Sequence, residues 1–291
     1  APDRPGEAKL YTERFATQFL TPDTPGDLAA YGHRLAAYAS SARGQFREAL
    51  KHLDQAQESD VDSDVEARSL IVATPGAPVD SGTIAQTRMA IERWQPSYLH
   101  DPDQSLDALA RTRSHALLRL HRLGLIALRA GDTLAAAKAA SRLAAISEPD
   151  SATTPTAIAL ALSLRARLAA AAGDSARALA LLERVAWARV ERGAATEPMD
   201  RLLRADLLAA TGRHADALRW YATIGHGDPQ EFPLLGFAAL GMARTRERMG
   251  DRVAADREYG RVAALWRDAD PPLQALAMSA TRRLASRDST R

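Results

Sequence analysis

Residues Ala159–Ala186 read ALALSLRARLAAAAGDSARALALLERVA. An apolar run with helical spacing is followed by Gly173-Asp174 and then by a second such run. Glycine just past a helix end takes a left-handed conformation that other residues resist. An Asp immediately after it can cap the next helix. The stretch therefore encodes a helical hairpin. Turns of the same kind recur at Gly131-Asp132, Gly173-Asp174, Gly212-Arg213 and Gly250-Asp251, spaced 42, 39 and 38 residues apart. A lone helix pair exposes an apolar stripe that only stacked neighbours can bury. The expected fold class is all-α: an α-solenoid of antiparallel helix pairs with a C-terminal capping helix. That cap is Leu273–Leu284, started by Pro271-Pro272, with Arg282 and Arg283 on an outer charged face.

Toward the N-terminus the pattern loosens. Ala8–Leu20 is expected as a first helix. Thr24-Pro25 starts another that ends near Arg43, Gly44 turns the chain, and Arg47–Gln57 returns. Gly44 to Gly131 is 87 residues, about two periods, so one pair with a poor turn signature should lie between. Val65–Thr74 and Thr83–Gln95 are its expected helices, with Ile84, Met89, Ile91 and Trp94 buried in the second. Trp94 and Tyr98 are read as core or loop anchors. Glu58–Glu66 (ESDVDSDVE) places Asp60, Asp62 and Asp64 at positions one, three and five of a calcium loop. Val65 stands where that loop needs Gly, and Ile71 where it needs Glu. A solvated linker is the expectation there. Pro96–Asp103 suggests a division into divergent hairpins over 1–103 and a regular array over 104–291, one continuous solenoid.

Composition excludes several classes. Hydrophobic residues make up 46% and aromatics 5%. The apolar share is heavy in Ala, which suits close helix packing and not a β-sandwich. Thirty-eight basic side chains face 36 acidic ones, and Arg is interspersed with Asp and Glu, so no nucleic-acid face is expected. With no cysteine there are neither disulfides nor thiolate metal sites. No apolar run reaches a membrane span. The opening APDRPGEAK carries no basic-then-apolar leader and suggests a piece of a longer protein. Composition leaves the compartment open, with either side of a membrane possible as its location.

No catalytic constellation stands out. The seven His residues show no HExxH spacing, and no GxSxG, GxxxxGK[ST] or GxGxxG occurs. A non-enzymatic chain with no cofactor and no metal is expected.

The turns and their flanks resemble the tetratricopeptide repeat (TPR). Leu123-Gly124, Gly131, Ala136 and Leu143 carry the pattern once. So do Ala166, Gly173, Ala178 and Val185; Ala205, Gly212, Ala217, Tyr221 and Pro229; Ala243, Gly250, Ala255 and Tyr259; and Ala37, Gly44, Phe46, Ala49 and Ala56. Periods near 39 exceed the family's 34. The segment Tyr259–Leu284 further resembles the end of TPR regions in bacterial membrane-linked serine/threonine protein kinases and related transcriptional regulators. No kinase motif occurs in this chain.

The resemblance implies a right-handed superhelix that binds a protein or peptide on the face of each repeat's first helix. Counted back from each turn glycine, the implied groove residues include Arg34, Tyr38, His121, Leu125, Ser163, Arg167, Asp206, Arg244 and Glu247. Arg34, Arg167 and Arg244 suit an acidic peptide through bidentate contacts. The resemblance also leaves room for an upstream effector domain or membrane helix in the full-length protein. The alternatives are a self-associating assembly subunit, based on end stripes such as Leu10–Leu20, and a small-molecule-binding sensor.

Overall fold

The computed structural model describes residues 14, 16–21, 23–56, 61–95, 106–146, 153–185, 197–226 and 228–288. They contain helices and turns and no strand. The helices are α1 (Gly26–Ala42), α2 (Phe46–Ala56), α3 (Val61–Ala73), α4 (Ser81–Arg93), α5 (Leu106–Arg129), α6 (Thr133–Ala144) and α7 (Thr153–Ala171). There follow α8 (Ser175–Glu183), α9 (Glu197–Ala210), α10 (His214–Tyr221), a 3-10 turn (Pro229–Leu234), α11 (Leu235–Arg248), α12 (Arg252–Leu265) and α13 (Pro271–Asp288). Helices adjacent in sequence pack as pairs, notably α1–α2, α5–α6, α7–α8 and α11–α12.

The turns form as their chemistry dictates. The five glycines at 44, 131, 173, 212 and 250 have φ between 73° and 81°. In each, the glycine N–H and the next N–H turn back onto the helix just ended: Gly131 N–H donates to Leu128 O (3.0 Å) and Asp132 N–H to Ala127 O (2.8 Å). This satisfies carbonyls that a helix end otherwise leaves without partners. Asp132, Asp174 and Asp251 then accept from the backbone N–H three residues on, at 2.9, 2.9 and 3.2 Å. Arg213 has no acceptor and makes no such cap; its guanidinium holds Asp216 instead.

Alanine marks where helices approach most closely. Ala49, Ala136, Ala178, Ala217 and Ala255, each one turn into the second helix of a pair, are all 0% exposed. On the first helices Ala37, Ala166, Ala205 and Ala243 are equally buried. At Gly124 a Cβ would stand 2.5 Å from Leu164 Cδ1, so even Ala is too large for that α5–α7 approach.

The contacts divide the chain into two compact units, Ala1–Val79 with Arg201–Arg291, and Asp80–Asp200. In the first, residues far apart in sequence share one core: Phe46 and Leu53 of α2, Ile71 of α3, Leu240 of α11, Tyr259 of α12, Trp266 just past its end, and Leu273 of α13. The seam is polar as well. Asp270 N–H donates to Gly44 O (3.0 Å), Gln45 Nε2 to Asp268 O (3.1 Å), and Arg47 N–H to Asp270 Oδ2 (3.1 Å). The first hairpin thus docks on the last helices of the same unit. In the second unit α6 packs on both α5 and α7, and α4 packs on α5.

Three expectations change. The acidic segment is not a solvated linker throughout: α3 begins at Val61, and Asp64 is 1% exposed. Carboxylates in a first helical turn sit favourably against the helix dipole, so an acidic run there starts a helix rather than delaying it. The helices expected as a pair between Gly44 and Gly131 belong to different units, α3 to the first and α4 to the second. In α4 the buried stripe runs through Thr87, Ile91 and Trp94, at helical spacing, and Met89 off that stripe is exposed. Asp60 and all of Pro96–Asp103, Tyr98 included, lie outside the described residues, as does most of Ala8–Leu20.

Candidate functional site

Four of the implied groove residues meet in the second unit. His121 and Leu125 lie on α5, and Ser163 and Arg167 lie on α7. His121 and Ser163 are both 0% exposed, and Leu125 is buried beside them. His121 Nε2 is 3.3 Å from Ser163 Oγ. Ser163 Oγ donates to Asp200 Oδ1 (2.9 Å), and Arg167 donates to the same oxygen at 2.6 Å. Asp200, from the first turn of α9, is 3% exposed, and the Arg167 side chain only 11%. The result is a buried polar chain linking α5, α7 and the start of α9. Its neighbour Arg122 is 1% exposed, with its guanidinium carbon 5.4 Å over the Trp94 ring. The His115 ring meets the same Trp94 edge-on at 4.2 Å.

Serine, histidine and aspartate together suggest a hydrolytic triad, but the order differs. In a triad the imidazole stands between the hydroxyl and the carboxylate, which orients it. Here the hydroxyl stands between imidazole and carboxylate, and Asp200 makes no bond to His121. The chain ties three helices together and lacks the carboxylate–imidazole contact of that triad.

Burial and the Arg167 and Arg122 charges push the His121 imidazole well below its ordinary value. Burial raises the Asp200 carboxyl, against the pull of Arg167. The two act oppositely on stability. Below pH 6.5 the unfolded His121 takes up a proton that the folded one refuses, so stability is lost as pH falls. Asp200, with its folded value raised, gains stability as pH falls through that folded value. His33 and His52 are also lowered by burial and add to the histidine direction. The expected result is a fall in unfolding free energy from pH 7 toward pH 5. His121→Gln should reduce that slope by up to about 1.4 kcal/mol per pH unit. Urea melts of both proteins across the range check it; parallel curves would remove His121 as the cause.

The remaining implied residues lie in the first unit. Tyr38 is 6% exposed and belongs to the core. Arg34 is half-buried on α1, 5.8 Å from the Tyr31 ring centroid. Asp206 on α9 accepts from the Tyr221 hydroxyl at 2.6 Å; burial first, and then this carboxylate, push that hydroxyl well above its ordinary value. Glu247 accepts from Tyr259 Oη (2.8 Å) and from Arg283 of α13, whose guanidinium also lies 5.2 Å over the Tyr259 ring. Arg244 is exposed on α11 and makes no hydrogen bond among the described residues. Phe237, two turns earlier, is packed against the loop after α3, where a Cβ on Gly76 would stand 2.6 Å from its ring.

The partners Asp200, Tyr221 and Arg283 were not identified as such from the sequence. Tyr221 and Arg283 carried a signal, as a repeat position and as the cap's charged face. Asp200 carried none beyond its place in an acidic first turn.

Among the described residues no group of three or more His, Asp or Glu is gathered for a metal, and no helix is long and apolar enough to cross a membrane. No family model and no curated protein matches the chain.

Proposed function

We propose that this chain is a TPR-like helical scaffold, non-enzymatic, that binds a protein or acidic peptide, as the sensor or interaction region of a larger bacterial regulatory protein. The observation that carries the reading is Arg244. Most charged side chains at the implied groove positions are engaged internally: Arg167 by Asp200, Asp206 by Tyr221, and Glu247 by Arg283. Arg244, in the first unit, is exposed and makes no hydrogen bond of its own among the described residues. A guanidinium so placed suits a carboxylate from outside, in a bidentate pair. The repeated turn, cap and Ala positions support the solenoid reading, since each is what stacked helix pairs require.

Arg244 is also the residue to test, because changing it breaks no hydrogen bond; its charge acts on Asp206 and Tyr259 only through space. A hydrogen bond to a charged group is worth about 1.5–3 kcal/mol, so Arg244→Glu should weaken binding of an acidic peptide about tenfold to hundredfold. Fluorescence anisotropy against an acidic peptide panel measures it. Undiminished binding would end the groove assignment. The self-association alternative rests on end stripes such as Leu10–Leu20, where Phe19 and Leu20 are half-buried. Ala16 is 2% exposed, and a Cβ on Gly32 would stand 2.8 Å from Phe19 Cβ.

A further inference from the structure

His33 of α1 and His52 of α2 face each other across the first hairpin. Their Nδ1 atoms are 3.2 Å apart, and their ring centroids 5.5 Å apart with planes inclined at 37°. Both side chains are half-buried, so the edge of the pair is open to solvent. With no cation present, one Nδ1–H donates to the other ring.

The separation has a second reading. Two nitrogens bound about 2.0–2.1 Å from a tetrahedral Zn²⁺ stand about 3.3 Å from each other. The backbone therefore already holds both donors at the spacing a chelate needs, and only the ring orientations must change. Imidazole pairs favour Zn²⁺, Ni²⁺ or Cu²⁺ over Mg²⁺ or Ca²⁺, which prefer oxygen. We propose that His33 and His52 form a two-nitrogen site for a borderline divalent cation, which ties α1 to α2 with water completing the coordination. No third His, Asp or Glu of the described residues joins them. Besides His33, the charges that act on His52 are Glu48, Arg43 and Lys51, and Glu48 is engaged with Lys51 at 3.0 Å. The site is thus open and exchangeable, not a closed structural centre.

Its place in the fold gives it leverage. The hairpin it clips is the one that docks on Ala269 and Asp270. A cation bound only by the folded hairpin stabilises it by mass action.

The experiment uses the full chain, freed of metal, titrated with ZnCl2 and with NiCl2 by calorimetry and thermal melting. One equivalent is expected to bind at this site, and a hundredfold excess over the dissociation constant should raise the melting temperature by about 5 °C. His33→Asn and His52→Asn should each abolish that rise, while His226→Asn should retain it. Melts in chelator confirm that the variants fold; if one does not, His33→Gln takes its place. MgCl2 should give no shift. Binding that survives in either Asn variant, or no rise with either cation, overturns the proposal.

Discussion

Arg167→Glu is expected to unfold the second unit or come close to it. The substitution removes the cation beside Asp200 and sets a second carboxylate against one that is 3% exposed. Breaking a buried ion pair from one side costs about 3–5 kcal/mol, because the remaining charge is left in a poor solvent. That is a large part of the roughly 5–15 kcal/mol that holds a domain together. Burial already raises the Asp200 carboxyl in the intact protein, which shows how little desolvation it can spare. Asp200→Asn should be milder, since an amide oxygen can still accept from Ser163. The double variant Arg167→Met with Asp200→Asn should cost less than the single changes Arg167→Met and Asp200→Asn added together, by about 0.5–3 kcal/mol. Denaturant unfolding of the four proteins completes the cycle. Additive losses would mean that Arg167 and Asp200 do not stabilise each other.

This result bears on function as well. Arg167 is one of the three Arg residues that the sequence offers as ligand contacts. A loss of binding in Arg167→Glu would therefore report a collapsed unit and not a lost contact. Arg244 does not share that ambiguity, and the two substitutions are best kept apart. They also lie in different units, so one folding measurement does not stand for both.

What was legible in the sequence was local. A turn glycine, the Asp after it and the Ala one turn later act within about eight residues, and each is fixed by backbone geometry. The Gly131, Gly173, Gly212 and Gly250 turns all have the conformation that this chemistry demands. What was not legible was pairing at a distance. Ser163 and Asp200 are 37 residues apart, and Glu247 and Arg283 are 36 apart. Nothing in the helical period says which of several carboxylates a given Arg will meet. The same limit hid the assignment of α3 and α4 to separate units. Their intervening loop carries a poor turn signature in the sequence, although Gly76 has a positive φ, 80°. The loop's partner is Phe237, which lies 161 positions later and gives no local sign of it.

The seam between Gly44 and Asp270 is the most distant of these pairings, and it yields the sharpest contrast. Gly44 and Gly131 have nearly the same φ, 73° and 78°, and both follow the first helix of a pair. A Cβ at Gly131 would meet nothing within 4 Å. Gly131→Ala should therefore cost only the left-handed strain, about 1–2 kcal/mol. At Gly44 the Cβ would stand 2.8 Å from Ala269 Cβ, 2.9 Å from Trp266 Cδ1 and 3.1 Å from Leu273 Cδ1. Trp266 is 1% exposed and Ala269 is held by the Asp270 turn, so neither can give way freely. Overpacking of this kind adds about 1–3 kcal/mol to the strain. Gly44→Ala should thus lose about twice as much stability as Gly131→Ala. It should also speed hydrogen exchange at the Asp270 and Arg47 amides, which bond across the seam. Gly131→Ala should leave those two amides as they are. Equal losses at the two glycines, with both amides still protected, would mean that the docking of the first hairpin on the last helices adds nothing to the strain common to both turns.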